Sequence, residues 1–273
     1  KAVNNSYDLA KSYSIENKNT IKTDIFLMSV GVNRASSLFY SNINRFKNLQ
    51  NNSPFIFGKQ AIFGVMPDWN PAEIIGTKPF SLSFDLYRYL ITDKVWATQR
   101  AEYGYKDVRP QPLLVSFAGH PYVDVRASFN SFIPLNISKK LTGNLVDFFI
   151  KRLIKNPQYH DKVEFEVLPT CYDFNFKNWK SILLLGGFSN YEINNLQSGL
   201  KSITNNAIFR TEKDLKNIDI IKNRFDEIIS SNLSELDMAL FLLEDCRQYG
   251  TLVFAHLARS AFVGVSLLKS AVD

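Results

Sequence analysis

The chain has 273 residues, 45% of them hydrophobic, and a formal charge of +6 from 32 basic and 26 acidic side chains. That is enough to bury a full core in one large domain or two modest ones. The charges are scattered and form no basic, aromatic-interleaved arm, so the balance fits a mildly basic surface or an anionic ligand and disfavours a nucleic-acid binder.

Residues 1–60 read as a polar lead-in and a partial N-terminal subdomain. Lys1–Asn19 is Asn-rich and lacks the apolar run and small-residue cleavage site of a signal peptide. No initiator Met opens the chain, which reads as an excised fragment. Asp24–Val30 and Phe55–Val65 are predicted strands, separated by a helix over Ala35–Phe46 and a surface loop over Asn48–Ser53. Residues 61–273 then form the main domain. In Pro67–Thr77, an Asp or Asn cap, Pro71 in the first turn, Glu73 after it and Gly76 as a stop predict a short helix opened by a loop. Ser81–Tyr103 carries Leu82, Leu86, Tyr89, Leu90, Val95 and Trp96 at helical spacing and ends at Gly104.

The segment Leu113–Phe117, a Gly119-His120-Pro121 turn and Tyr122–Arg126 together predict a hairpin. On its second strand Tyr122, Asp124 and Arg126 share one face, and Val123 and Val125 the other. Ser138–Lys155 is an amphipathic helix and Lys162–Leu168 a strand. Asn190–Thr204, Glu212–Ser231 and Glu235–Lys269 are helical, with Gly250 breaking the last into two. The fold class is therefore α+β: helix-rich toward the C-terminus, with a minority mixed or antiparallel sheet from the 55–66, 113–126 and 162–168 regions.

Cys171 and Cys246 are the only cysteines, with no Cys-x-x-Cys and no nearby histidine pair. A reducing, cytoplasmic setting and no metal site are expected. The apolar stretches Ser181–Gly187 and Leu252–Leu268 are short, or interrupted by His256 and Arg259, so no membrane partner is expected. Walker-A, Gly-x-Gly-x-x-Gly and Gly-x-Ser-x-Gly patterns are absent, and no nucleotide-binding loop is recognisable.

Three polar groups remain as candidates for chemistry. Asp68, Trp69, Asn70 and Glu73 crowd a loop that leads into a helix, where they either cap and fill the core or receive a ligand. Asp124, Arg126, Asn130 and Ser131 either bind a molecule with two charged ends or satisfy one another. His256 and Arg259 lie three apart on an otherwise apolar helix. Arg259 needs an anionic ligand or a buried carboxylate such as Glu244 or Asp245, and His256 is either a proton shuttle or a core group. His120 reads as exposed turn chemistry, and His160 carries no assignment.

Phe63–Gly76 with its Asp-Trp-Asn-Pro-Ala-Glu string, Leu90-Ile91-Thr92-Asp93, Tyr122–Pro134 with Val-Asp-Val-Arg-Ala-Ser-Phe-Asn-Ser-Phe, and Tyr249–Arg259 resemble the central region of phosphoenolpyruvate-synthase-like enzymes. Within that family they look most like the L-glutamine kinase branch of capsule phosphoramidate biosynthesis. The resemblance runs from about Phe63 to Val272. It implies a three-part phosphotransferase with an ATP-grasp module, a phosphohistidine domain and an acceptor region. The Thr-Ser-His-Ala type of segment and the ATP-grasp signatures are missing here, so ATP and Mg are expected on the enzyme's other domains and the acceptor region in this chain. L-glutamine is the implied acceptor, phosphorylated on its amide nitrogen; pyruvate or another small acid, or a non-catalytic interdomain scaffold, are the alternatives. From side-chain chemistry, Arg126 is expected to take the substrate carboxylate, Asp124 or Glu73 the ammonium, Asn70 and Asn130 the carboxamide, and Arg259 the incoming phosphoryl group.

Overall fold

The computed structural model describes residue 48, residues 53–65 and residues 69–272. The predicted strand over 24–30 and helix over 35–46 lie outside the described residues, as does most of the 48–53 loop. Helix dominates (67%) over strand (7%), which makes the fold a helix-rich α+β structure as the sequence predicts.

The sheet has three antiparallel strands, β1 (Phe63–Gly64), β2 (Leu114–Phe117) and β3 (His120–Asp124), in the order β1-β3-β2. The β2–β3 hairpin turns on Ala118 and Gly119, with φ of 52° and 83°, the two left-handed residues of a tight hairpin loop. The turn falls one residue earlier than expected, so His120 and Pro121 pair with Phe117 and Ser116. Most of the predicted 55–65 strand does not join the sheet. Asn130 explains why: its carboxamide accepts from the Phe57 N–H (2.9 Å) and donates to the Phe57 carbonyl (2.8 Å), occupying the groups a neighbouring strand would use.

Helices α1 (Pro71–Ile74), α2 (Ser81–Tyr87) and α3 (Val95–Tyr103) follow β1, with a π-helical turn at Arg88–Thr92 between the last two. Helix α4 (Val125–Asn130) starts directly at the end of β3. The expected strand therefore stops at Asp124, whose carboxylate caps α4 by accepting from Ala127 N–H (3.0 Å); Arg126 lies on a helix and not on a strand face. Helix α5 (Lys139–Lys155), capped by Ser138, buries Leu141, Leu145, Phe149 and Leu153 at helical spacing.

The predicted strand over 162–168 is a π-helical turn, Val163–Val167. Its residues alternate apolar and acidic, but tertiary pairing overrides that period. Val163 and Val167 are buried four apart, Phe165 is exposed, and Glu164 reaches Arg259. Helix α6 (Phe176–Leu185) forms where the sequence shows only the apolar stretch Ser181–Gly187. The two expected helices 190–204 and 212–231 are one, α7 (Asn190–Ile229), 40 residues and about 60 Å long, opened by a Ser189–Glu192 capping box.

Gly250 does not break the last helical region. Helix α8 (Glu235–Asp245) passes through a π-helical turn, Cys246–Thr251, into α9 (Leu252–Val272). This 38-residue helix is long and apolar enough, by length and composition, to cross a membrane, so His256 and Arg259 do not interrupt it as expected. It lies antiparallel along α7: Asp245 pairs with Arg224, Gly250 faces Ile221, His256 meets Arg210 and Ser260 donates to the Ala207 carbonyl.

The main core joins α4, α5, the Val163–Val167 turn, α6, the first half of α7 and Val263. A second cluster sets Trp69 against Ile56, Trp96, Leu113, Val123 and Ala127. Residues 53–60 thus pack on the body that follows them.

Two helical glycines make opposite predictions. A Cβ on Gly199 would sit 2.5 Å from both Asn136 Oδ1 and Pro134 Cβ. Gly199→Ala should therefore cost about 1–3 kcal/mol in urea denaturation, as overpacking does. Gly264 has nothing within 4 Å, so Gly264→Ala should stabilise by about 0.5–1 kcal/mol through its helix preference.

Candidate functional site

Asp68 lies outside the described residues. Trp69 and Asn70 hold left-handed backbone, φ 59° and 27°, at a strain of about 1–3 kcal/mol each for such residues. Asn70 caps α1, accepting from Glu73 N–H (3.2 Å) while its amide meets the Glu73 carboxylate. The Trp69 carbonyl accepts from the Tyr87 hydroxyl, and its ring packs 6.4 Å from that of Phe254. The loop is thus built by capping, with its side chains half-buried.

The structure brings Asp124, Arg126, Asn130 and Ser131 together on and beside α4, but as internal fasteners. All four are buried. Besides capping α4, Asp124 receives the Gln111 amide at 3.4 Å. Arg126 donates to the Gly58 carbonyl (3.2 Å), and Asn130 also donates to the Arg126 carbonyl (2.8 Å). Ser131 accepts from Arg100 Nη1 (2.5 Å) and donates to the Ser128 carbonyl. Burial pushes the Asp124 carboxyl up to about 6, against the Ala127 N–H and the nearby Arg126 charge.

His256 and Arg259 enter two adjoining buried networks. Arg259 pairs with Glu164 and not with Glu244 or Asp245; Thr170 Oγ1 also donates to Glu164 (3.0 Å). The Arg259 and Arg100 guanidiniums both approach the Phe132 ring, 5.0 and 3.7 Å from its centroid. Burial raises the Glu164 carboxyl, but Arg259 outweighs it and holds the group below its ordinary value.

His256 sits against Arg210 (2.6 Å), whose Nε is 2.8 Å from Asp214, a carboxylate with no solvent exposure. Tyr103 donates to the His256 carbonyl at 2.6 Å. Burial, and then the Arg210 charge, press the His256 imidazole down to about 4, so it is neutral near pH 7. The adjacent guanidinium opposes protonation of this imidazole, and Glu102, 46% exposed, links the network to solvent.

Sequence reasoning missed Arg100, Glu164, Arg210, Asp214 and a surface cluster on the two facing π-helical turns. There Glu244 accepts from Tyr89, Arg247 Nε (3.0 Å) and Gln248. Arg247 also lies 5.0 Å over the Tyr89 ring. Bonds from Arg247 and Tyr89 hold Glu244 down at about 2. The Arg210–Asp214 and Glu244–Arg247 pairs were findable as i, i+4 and i, i+3 ion pairs; the contacts of Arg100, Glu164 and Tyr89 join segments far apart in sequence. Among the described residues, no group of three or more His, Cys, Asp or Glu could hold a metal ion. No family model, curated protein or solved structure matches the chain.

The two buried titratable groups oppose each other with pH. Asp124 is raised from an ordinary 3.8 to about 6, so its contribution to stability is full at low pH and is lost as pH rises through that window. His256 is lowered from 6.5 to about 4, so its contribution is full above 6.5 and is lost as pH falls. In urea melts between pH 4 and 6, Asp124→Asn should make stability climb more steeply with pH than wild type, and His256→Gln should make it climb less or fall.

Proposed function

We infer that this chain is the acceptor region of a phosphoenolpyruvate-synthase-like phosphotransferase and that its acceptor is L-glutamine. The observation that carries the reading is convergence: three strings behind the resemblance, distant in sequence, meet at Trp69. Trp69 packs against the cluster that holds Val123 and Ala127 of the Tyr122–Pro134 string, and its ring lies 6.4 Å from that of Phe254 in the Tyr249–Arg259 string. The phosphoryl group would come from ATP and Mg through a histidine on another part of the enzyme, in the cytoplasm. The amide nitrogen is a poor nucleophile, so this region's task is to orient it within about 3–3.5 Å of the donor.

Because the α4 residues and His256 and Arg259 are engaged inside the fold, we assign acceptor binding to the more accessible side of the Trp69 junction. Trp69, Asn70 and Glu73 supply an aromatic wall and amide-reading groups. Glu244 and Arg247, 32% and 24% exposed, pair with each other at the surface and would exchange that pair for the ammonium and carboxylate of a free amino acid. His256 and Arg259 act behind this surface, fixing the helix that carries Phe254.

A second reading, an interdomain scaffold, is favoured by the exposed face of α9. Phe254, Ala258, Ala261, Val265, Leu268 and Val272 are all exposed at alternating spacings of four and three. That is the seam along which another helix packs.

Titrating the chain with L-glutamine in a thermal-shift assay should raise its melting temperature, by the equivalent of about 2.7 kcal/mol at a hundredfold excess over Kd. Pyruvate should leave it unchanged, and Arg247→Ala should abolish the response. A shift with pyruvate alone would move the acceptor to a small acid, and no shift with either compound would leave the scaffold reading.

A further inference from the structure

We propose that the cavity between the 57–60 loop and the C-terminal half of α5 binds a small phosphate monoester carrying an apolar or aromatic group. Its volume is about 480 Å³, within the range of small-molecule sites. Phe148, Lys151, Arg152 and Lys155 line one side, spaced i, i+3, i+4 and i+7, so one stripe of α5 presents an aromatic ring and three cations. Gln60 closes the opposite side.

No carboxylate lies within ion-pair distance of those three cations among the described residues. Like charges four apart destabilise a helix, so Lys151 and Lys155 together work against folding. The negative C-terminal end of α5 favours cations in the last turn, which accounts for Arg152 and Lys155. It does not account for Lys151, or for a cavity in front of the stripe. A dianionic group can face all three side chains at once and offsets two of their three charges.

The site is also braced. Arg152 is fixed by donating Nε to the Glu166 carbonyl (2.7 Å) and by lying 5.6 Å over the Trp179 ring, so its guanidinium is positioned in advance. The facing loop is held at three successive residues: Phe57 by Asn130, Gly58 by Arg126, and Lys59 N–H by Asp147 at 2.6 Å. Arg126 and Asn130 of the Val-Asp-Val-Arg-Ala-Ser-Phe-Asn segment thus help to fix the wall that carries Gln60. The inference is independent of which acceptor the Trp69 surface takes.

Phenyl phosphate and inorganic phosphate, titrated calorimetrically against the whole chain at fixed ionic strength, test it. Phenyl phosphate should bind saturably and more tightly than inorganic phosphate, because the ester group reaches Phe148. Lys151→Ala/Lys155→Ala, at exposed positions that leave the core intact, should weaken phenyl phosphate at least about tenfold, the loss of roughly one strong charge contact. Lys216→Ala, whose lysine pairs with Glu212 elsewhere, should bind as wild type. Absence of saturable binding, or equal binding by the double variant and wild type, would overturn the proposal.

Discussion

A cationic side chain drawn into an apolar interior has to meet a fixed partner, because an uncompensated buried charge costs several kcal/mol. That demand determines how α9 lies. Arg259 of α9 must reach Glu164, and Arg210 of α7 must reach Asp214 with the neutral His256 of α9 packed against that pair, so one helix is tied to the Val163–Val167 turn on one side and to α7 on the other. Tyr103 of α3 joins the same knot by donating to the His256 carbonyl. Segments scattered over the chain are thereby held in one register. Apolar packing alone, which tolerates sliding, would not fix that register.

The same logic explains which parts of the fold were legible in the sequence. Helices with a cap and a clean apolar stripe, such as α5, are determined locally and read directly. The β2–β3 hairpin read nearly as well, because Gly119 and the flanking apolar runs are local signals. The region 162–168 misled because its period of two is a local signal that long-range contacts overrule: Glu164 is pulled inward by Arg259, and the Glu166 carbonyl is taken by Arg152. The 55–65 segment misled for a related reason. Its Phe57 and Gly58 backbone groups are taken by side chains of α4 and its Lys59 N–H by Asp147 of α5, about seventy to ninety residues away, and no pattern within the segment records this.

The candidate site was legible as a set of residues and less so as a set of roles. Asp124, Arg126 and Asn130 do lie together, as their clustering in sequence implied. However, a carboxylate, a guanidinium and a carboxamide also serve as helix cap, loop clamp and strand substitute, and one chain cannot distinguish those uses before the fold is known. Their burial decides it. Groups so enclosed and bonded would lose internal hydrogen bonds on turning to a ligand, whereas Glu244 and Arg247 keep part of their surface in solvent.

The π-helical turn at Cys246–Thr251 shows how the buried and exposed faces of the last helix coexist. A π turn takes in an extra residue, so side chains beyond it are rotated about the axis relative to a straight continuation. Asp245, before the turn, faces Arg224. His256 and Arg259, after it, face Arg210 and Glu164, while Phe254 and the apolar seam that follows face outward. Gly250 sits inside this turn, 3.5 Å at its Cβ position from Ile221 and 3.6 Å from Cys246 Sγ. A glycine within a helix costs about 1 kcal/mol relative to alanine. The ion pairs that the turn aligns on either side offset that cost, so the chain continues as helix where its sequence alone predicts a break.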